Sequence, residues 1–340
     1  MNFVARNGVI AFLLATLAGC TTSGYVRVDL VQLDVEAESK TELEPNFVNV
    51  STYATTSITD WEKVQNLSNL TGNTAKNTIS KPVVSPTQDA FVFYEYSGKS
   101  STVYRQSLGS QARSPLTSND ALDLTPAFTP DGEFLVFSSN RTGDGQGLWR
   151  VRSDGAGGIT QITSSTSSFD LEPSVATDGE TIVFQSYRAN DMTPSIWSVN
   201  MNGGLLTLLG YGESPRVSPD GRRVVFVRPQ QGKNNKQLWV MNIDGSGQTQ
   251  LTNNQSDDVD PSWHPNGRVI VFASNSAVKS SGKPDFDIWM IRADGTDRVQ
   301  LTENASHDDG PMFERKGKEI IFRSNRGGVW NIYSFQPKLN

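Results

Sequence analysis

The sequence predicts an all-β chain, a six-bladed β-propeller of four-stranded antiparallel blades closed by an N-terminal strand. Three observations predict it. A proline returns at Pro82, Pro126, Pro173, Pro215, Pro261 and Pro311, in steps of 42 to 50 residues. A phenylalanine stands eleven residues after every one of them, at Phe93, Phe137, Phe184, Phe226, Phe272 and Phe322. Between the two lies a tight-turn signal such as "TPDG", "ATDG", "SPDG" or "HPNG", in which Gly or Asn accepts positive φ at little cost. Short strands and turns repeated at this period are the mark of a propeller blade.

Each copy reads as strand, tight turn, strand, variable loop, strand, tight turn, strand. The second strand is β-branched and aromatic ("FLVF", "TIVF", "VIVF", "EIIF"), as suits a strand buried on both faces. The third carries an aromatic residue: Tyr104, Trp149, Trp197, Trp239, Trp289 or Tyr333. At that repeated position these rings read as core between blades. A fourth short strand ends in Leu-Thr or Ile-Thr. The last copy stops at "NIYSFQPKLN" without one, while "WEKVQNLSNLT" (61–71) precedes the first copy with the same ending. That segment completes the sixth blade and removes an open sheet edge.

Before the repeat, "MNFVARNGVIAFLLATLAGC" has one cation, Arg6, then an apolar stretch from Val9 to Leu17, the pattern of a secretory signal. It ends on Cys20, the chain's sole cysteine, so no intrachain disulfide is available. "LAGC" resembles the bacterial lipobox, which implies a signal peptide over 1–19 and lipidation of Cys20. Thr21 after the cysteine, by analogy with enterobacterial sorting, favours the outer membrane. Residues 20–60, rich in Thr, Ser and Glu, read as the lipidated cysteine plus a tether with a short strand region. Residues 61–340 form the propeller. The formal charge of −6, with no Lys/Arg cluster, speaks against nucleic acid and anionic lipid as partners. The body is expected to be a monomer held to the membrane by its lipid, facing the periplasm or the cell surface.

The string Asp-x-x-Pro-x-aromatic-Ser-Pro-Asp-Gly, then Ile-Val-Phe-x-Ser-x-Arg, then Ile-Trp-x-Met-x-x-Asp-Gly and Leu-Thr, resembles the WD40-like PD40 repeats of the TolB family. The resemblance runs from about Trp61 to Asn340 and is weaker in the first and last copies, where "ERKG" replaces Ser-Pro-Asp-Gly in the last. It implies a non-enzymatic protein–protein interaction module whose partner is an envelope protein such as a peptidoglycan-associated lipoprotein. A lipid-bearing N-terminus departs from TolB itself, which is soluble and carries a further N-terminal domain.

Three positions upstream of the prolines stand Asp123, Asp170, Asp258 and Asp308, with Glu172, Glu213, Asp260 and Asp309 close by. Arg141, Arg188, Arg228 and Arg326 follow the second strands. Strand directions put both sets on one face, with the carboxylates at the mouth of the channel. Each Asp can pair with an arginine of a neighbouring blade or cap its own turn. Alternatively the set, with His307, forms an acidic collar that docks a partner or takes a cation such as calcium. Ile79 and Gly212 replace the Asp in the first and fourth copies. The longest loop, Ser274–Asp287 with Lys279 in it, overhangs the same face.

Enzymatic signals are sparse. There are two histidines, His264 in a turn on the opposite face and His307, and no nucleophile elbow, phosphate loop or zinc spacing. No cofactor and no catalytic residue is expected. The competing reading is a carbohydrate-binding or carbohydrate-cleaving propeller acting on glycan at the acidic mouth, with His307 as the group to test.

Overall fold

The computed structural model describes residues 64–73, 78–118, 120–143, 145–164, 168–188, 191–230, 232, 234–276 and 285–337. The signal peptide, Cys20, the tether and Lys279 lie outside the described residues. Six sheets follow one another along the chain, each antiparallel and four strands deep. In blade 2 the strands run Asp123–Phe128, Phe134–Ser139, Gly147–Arg152 and Thr160–Gln161, from the channel outward. Blade 1 differs in that its inner strand is broken into Thr78–Ile79 and Val83–Val84. In blade 6, Val64–Asn69 pairs antiparallel with the third strand Asn331–Pro337, so the two ends of the described chain meet in one sheet. Among the described residues no helix is long and apolar enough to cross a membrane.

The repeated phenylalanines and the third-strand aromatics are cross-strand partners. Phe137 faces Trp149, Phe184 faces Trp197, Phe226 faces Trp239, Phe272 faces Trp289 and Phe322 faces Tyr333. All six phenylalanines are completely buried. The cores join blade to blade: one cluster unites Val225 and Val227 of blade 4 with Ile270 and Phe272 of blade 5. The tryptophans pack against these clusters, with Trp149 buried and the other three at their edges. Trp197, Trp239 and Trp289 are only half-buried, and an arginine covers each: Arg188 at 4.5 Å, Arg228 at 3.8 Å and Arg298 at 4.0 Å from the ring centroid. Such stacking supplies a favourable cation–ring attraction at the rim of each blade.

Inner strands share a second feature, a bulge at the repeated proline. Register slips between Leu124 and Ala127, Leu171 and Ser174, Glu213 and Arg216, Val259 and Ser262, and Asp309 and Met312. Proline has no N–H to give the ladder, and the residue before it takes a left-handed conformation: Thr125, Glu172, Ser214, Asp260 and Gly310 have φ of 45° to 55°. A bulge re-aims the side chain at that position. In blades 3 and 5 the result is a carboxylate lining the channel.

Candidate functional site: the channel and its two mouths

The structure sorts the acidic residues into two sets. Asp123, Asp170, Asp258 and Asp308 are buried inside their blades, each at 0–1% exposure. The sequence pattern puts them at the mouth as a partner-binding collar; their burial corrects that placement. Each reaches an arginine of its own blade: Arg141 at 2.8 Å, Arg188 at 3.8 Å, Arg298 at 3.2 Å and Arg326 at 2.8 Å. A serine two residues after the repeated phenylalanine adds a hydroxyl in three of them: Ser186 to Asp170, Ser274 to Asp258 and Ser324 to Asp308, at 2.5–2.7 Å. Asn254 and Asn304 donate to Asp258 and Asp308 from the loop ahead of each inner strand, both at 2.7 Å. The group is a clamp that ties the inner strand to the second strand and to the loop before it. Burial pushes the Asp170 carboxyl up; the hydroxyls of Ser186 and Thr163 and the distant Arg188 offset this only in part.

Where a blade lacks the aspartate, the charges are redistributed. Blade 1 has Ile79 there, and its acid moves to the second strand as Glu95, paired with Arg113 of the outer strand at 3.0 Å. Blade 5 has Ser276 where the second strands of blades 2, 3 and 6 place an arginine, and Arg298 arrives from the turn before the outer strand. Arg113 and Arg298 occupy the same repeat position, two residues ahead of the residue that pairs with the third-strand aromatic. Blade 4 has Gly212 at the aspartate position. A Cβ there would meet Phe226 at 2.6 Å and the carbonyl of Val227 at 2.8 Å, so no larger residue fits.

Asp260, Asp309 and His307 form a second set nearer the channel. The bulge directs Asp260 onto Lys81 of blade 1, at 2.6 Å, across the channel waist. Glu172 of blade 3 pairs with Arg216 of blade 4 at 2.5 Å. Burial opposes the Lys81 ammonium, but Asp260, Asp309 and Glu172 outweigh it and raise its pKa. Burial likewise opposes the Glu172 carboxylate, and Arg216 and Lys81 outweigh it, leaving the pKa lowered. Asp309 is buried against Arg323, which donates to it from Nε at 2.8 Å and from Nη2 at 2.5 Å, and to the carbonyl of Ile79 from Nη1. His307 sits between Asp285 (Nδ1, 2.8 Å) and Asp309 (Nε2, 3.4 Å). Burial works against its charge, yet the two carboxylates prevail and push its pKa up to about 9. At neutral pH it is therefore an imidazolium locked in an ion-pair chain.

Sequence reasoning missed Lys81, Arg216 and Arg323. For Lys81 and Arg216 the signal available was a charged residue next to a repeat proline; for Arg323 it was a charge directly after the repeat phenylalanine. His264, read as a solvated turn residue, is half-buried: its Nδ1 accepts from the Asn266 amide at 3.0 Å, its Nε2 lies 3.2 Å from the Gly317 carbonyl, and its ring packs edge-on against Phe313. Among the described residues no three His, Cys, Asp or Glu side chains converge to hold a metal ion.

On the turn-bearing face the channel widens into an open funnel with a cavity of about 310 Å³. Its wall is the far half of each inner strand, with Val83, Val217, Met312 and Phe313 and the turn residues Pro86, Pro219, Pro265 and Arg315. The waist of ion pairs forms its floor. The funnel therefore presents apolar and proline-rich walls, with cationic Arg315 at the rim.

The TolB beta propeller domain family (PD40) matches residues 58–214 and 207–284. An uncharacterized protein of Agrobacterium fabrum is 32% identical over 81 residues, 24% of this chain and 27% of its own length, so the chain matches about a quarter of that relative. The solved structure of a putative TolB from Agrobacterium tumefaciens superposes with a TM-score of 0.62 at 19% identity, covering 82% of this chain and 98% of that one. An oligogalacturonate lyase solved in complex with manganese superposes with a TM-score of 0.52 at 16% identity, covering 82% and 98%. At these identities the structural likenesses speak for the fold alone, and the repeats for more: the chain belongs to the TolB beta-propeller family with PD40 repeats.

Proposed function

We propose that this propeller is a non-enzymatic docking module. It is lipid-anchored through Cys20 to the outer membrane and binds an envelope protein such as a peptidoglycan-associated lipoprotein. The observation that carries the reading is the state of the channel. Its ionisable groups at the waist are paired with one another (Lys81 with Asp260, Arg216 with Glu172), and His307 is held between two carboxylates. A catalytic acid or base needs freedom to exchange a proton near working pH; these groups are held in one state. The open concavity is the funnel, and docking belongs there, on the face opposite the loops that follow the second strands.

Calorimetric titration of the purified chain with purified peptidoglycan-associated lipoprotein tests this. Val217→Glu and Met312→Glu, at half-exposed wall positions, should weaken binding by roughly tenfold or more, about 1.4 kcal/mol. Unchanged affinity in both variants overturns the funnel as the docking site. The lyase superposition motivates a second arm. Turnover of oligogalacturonate by the wild type, abolished in His307→Ala, would replace the docking reading with the glycan one.

A further inference from the structure

All the large, exposed hydrophobic side chains among the described residues fall in one place, the outer strand of blade 3 and the turn before it: Leu205 (82% exposed), Leu206 (48%), Leu208 (46%) and Tyr211 (53%). The other blades show what this position ordinarily holds. Pairing with the third-strand tryptophan aligns Leu208 with Gln161, Gln250 and Gln300. Each of those glutamines donates back to the carbonyl of the threonine two residues on, at 3.0, 2.7 and 2.9 Å. Leu208 has no such group to offer. By the same alignment Leu206 stands where blades 1, 4 and 5 have Arg113, Gln248 and Arg298, and where blade 2 has Ile159, packed against its own core. Leu205, at φ 55°, stands where blades 4 and 5 have Gly247 and Asp297. Leucine is disfavoured in that left-handed conformation, which Gly and Asp tolerate. At three positions that point to solvent, blade 3 thus carries leucine where blades 4 and 5 carry polar or flexible residues.

The backbone of this strand departs from the repeat as well. Thr207–Tyr211 is five residues long, against two in blades 2, 4 and 5 and three in blade 1, with only the closing strand Val64–Asn69 of blade 6 longer. Among the described residues, no strand pairs with its outer edge. Edge strands are ordinarily kept short or guarded by charge or proline; Thr207–Tyr211 has neither a charge nor a proline.

We propose that the outer strand of blade 3 is a docking edge for an extended segment of a partner protein, which adds as a fifth strand and lays alternate apolar side chains on Leu206, Leu208 and Tyr211. Area selects this occupant. Four partly exposed side chains present a few hundred Å², well short of the ~800 Å² per partner that a stable dimer buries; a single strand draws on main-chain hydrogen bonds besides. Charge excludes anionic lipid, since no Lys or Arg lies in 203–211. This surface is independent of the funnel, and either proposal can fail without the other.

The test uses the full chain and a fluorescent peptide of alternating valine and threonine, with fluorescence anisotropy as readout. The wild type should bind it saturably. Leu206→Gln with Leu208→Gln, which writes in the residues found in blade 4, should weaken binding roughly tenfold or more with no loss of thermal stability. A peptide methylated on alternate backbone nitrogens should fail to bind. Equal affinity for wild type and the double variant overturns the proposal, as does equal binding of the methylated peptide or no binding up to millimolar concentration. A concentration-dependent dimer in sedimentation that the double variant abolishes would also overturn it, since the occupant would then be a second copy.

Discussion

Blades 6 and 4 come from the same repeat and solve the same place differently. In blade 6 the carboxylate of Asp308 takes both contacts from one Arg326 nitrogen at 2.8–2.9 Å, with Ser324 and Asn304 on its remaining lone pairs. In blade 4 Gly212 replaces the aspartate and Arg228 takes the serine position. Arg228 then lies over Trp239 at 3.8 Å with Gln248 as its hydrogen-bond partner at 2.8 Å. Burial lowers its pKa, with no carboxylate to reverse the effect. The difference teaches that the repeated Asp-Arg signature is a fastener between strands. In blade 4, where the aspartate is missing, an arginine from the serine position still covers the aromatic ring.

That comparison can be broken by mutation, with effects that should fall in a definite order. The largest belongs to Asp308→Ala, which leaves a buried Arg326 without its counter-charge and should cost about 3–5 kcal/mol, read from urea unfolding at neutral pH. A cost under 1 kcal/mol would mean that the clamp contributes little. Next comes the channel waist: Lys81→Met strands Asp260 and should cost ~1–3 kcal/mol. The double variant Lys81→Met with Asp260→Asn, which removes the charge and keeps a residue suited to φ 54°, should regain most of that, and a double-mutant cycle reads the coupling.

His307 gives a pH signature. Its folded pKa of about 9 lies above the ordinary histidine value of 6.5, so the fold favours the protonated form. Its contribution is complete below about pH 6.5 and is lost as the pH rises through about 9. Stability of the wild type should therefore fall over that window relative to His307→Gln. Parallel pH profiles for the two proteins would refute the assignment. The smallest effect belongs to Arg228→Ala, about 0.5–1 kcal/mol for a partly exposed cation–ring contact, measured by thermal unfolding.

Much of this was legible in the residues. The offset from Pro126 to Phe137, repeated six times, carries the blade count, and the turn glycines sit at positive φ as their sequence demands: Gly132, Gly179, Gly221, Gly267 and Gly317, all at 69° to 73°. The Asp-Arg pattern was also visible, and so was pairing as one of its outcomes. Its location within one blade was not, because the partner of Asp258 is Arg298, forty residues away on another element. The bulge was hidden too. Proline marks where a ladder bond must be missing, but only the register slip shows that Asp260 turns into the channel while Asp258, two residues earlier, turns into the blade. The leucines of blade 3 were plain in "GGLLTLLGY", and only comparison of outer strands in register exposes them as a departure from the repeat.

Site-specific photo-crosslinking in living cells bears most directly on whether this propeller docks a partner, and by which face. The crosslinker would replace Pro265 and Arg315 at the funnel rim, with exposed Gln255 and Glu303 in loops of the other face as controls. One dominant envelope protein captured from the funnel positions and absent from the controls is the expected result. The same adduct from Gln255 and Glu303, with none from the funnel rim, would contradict it.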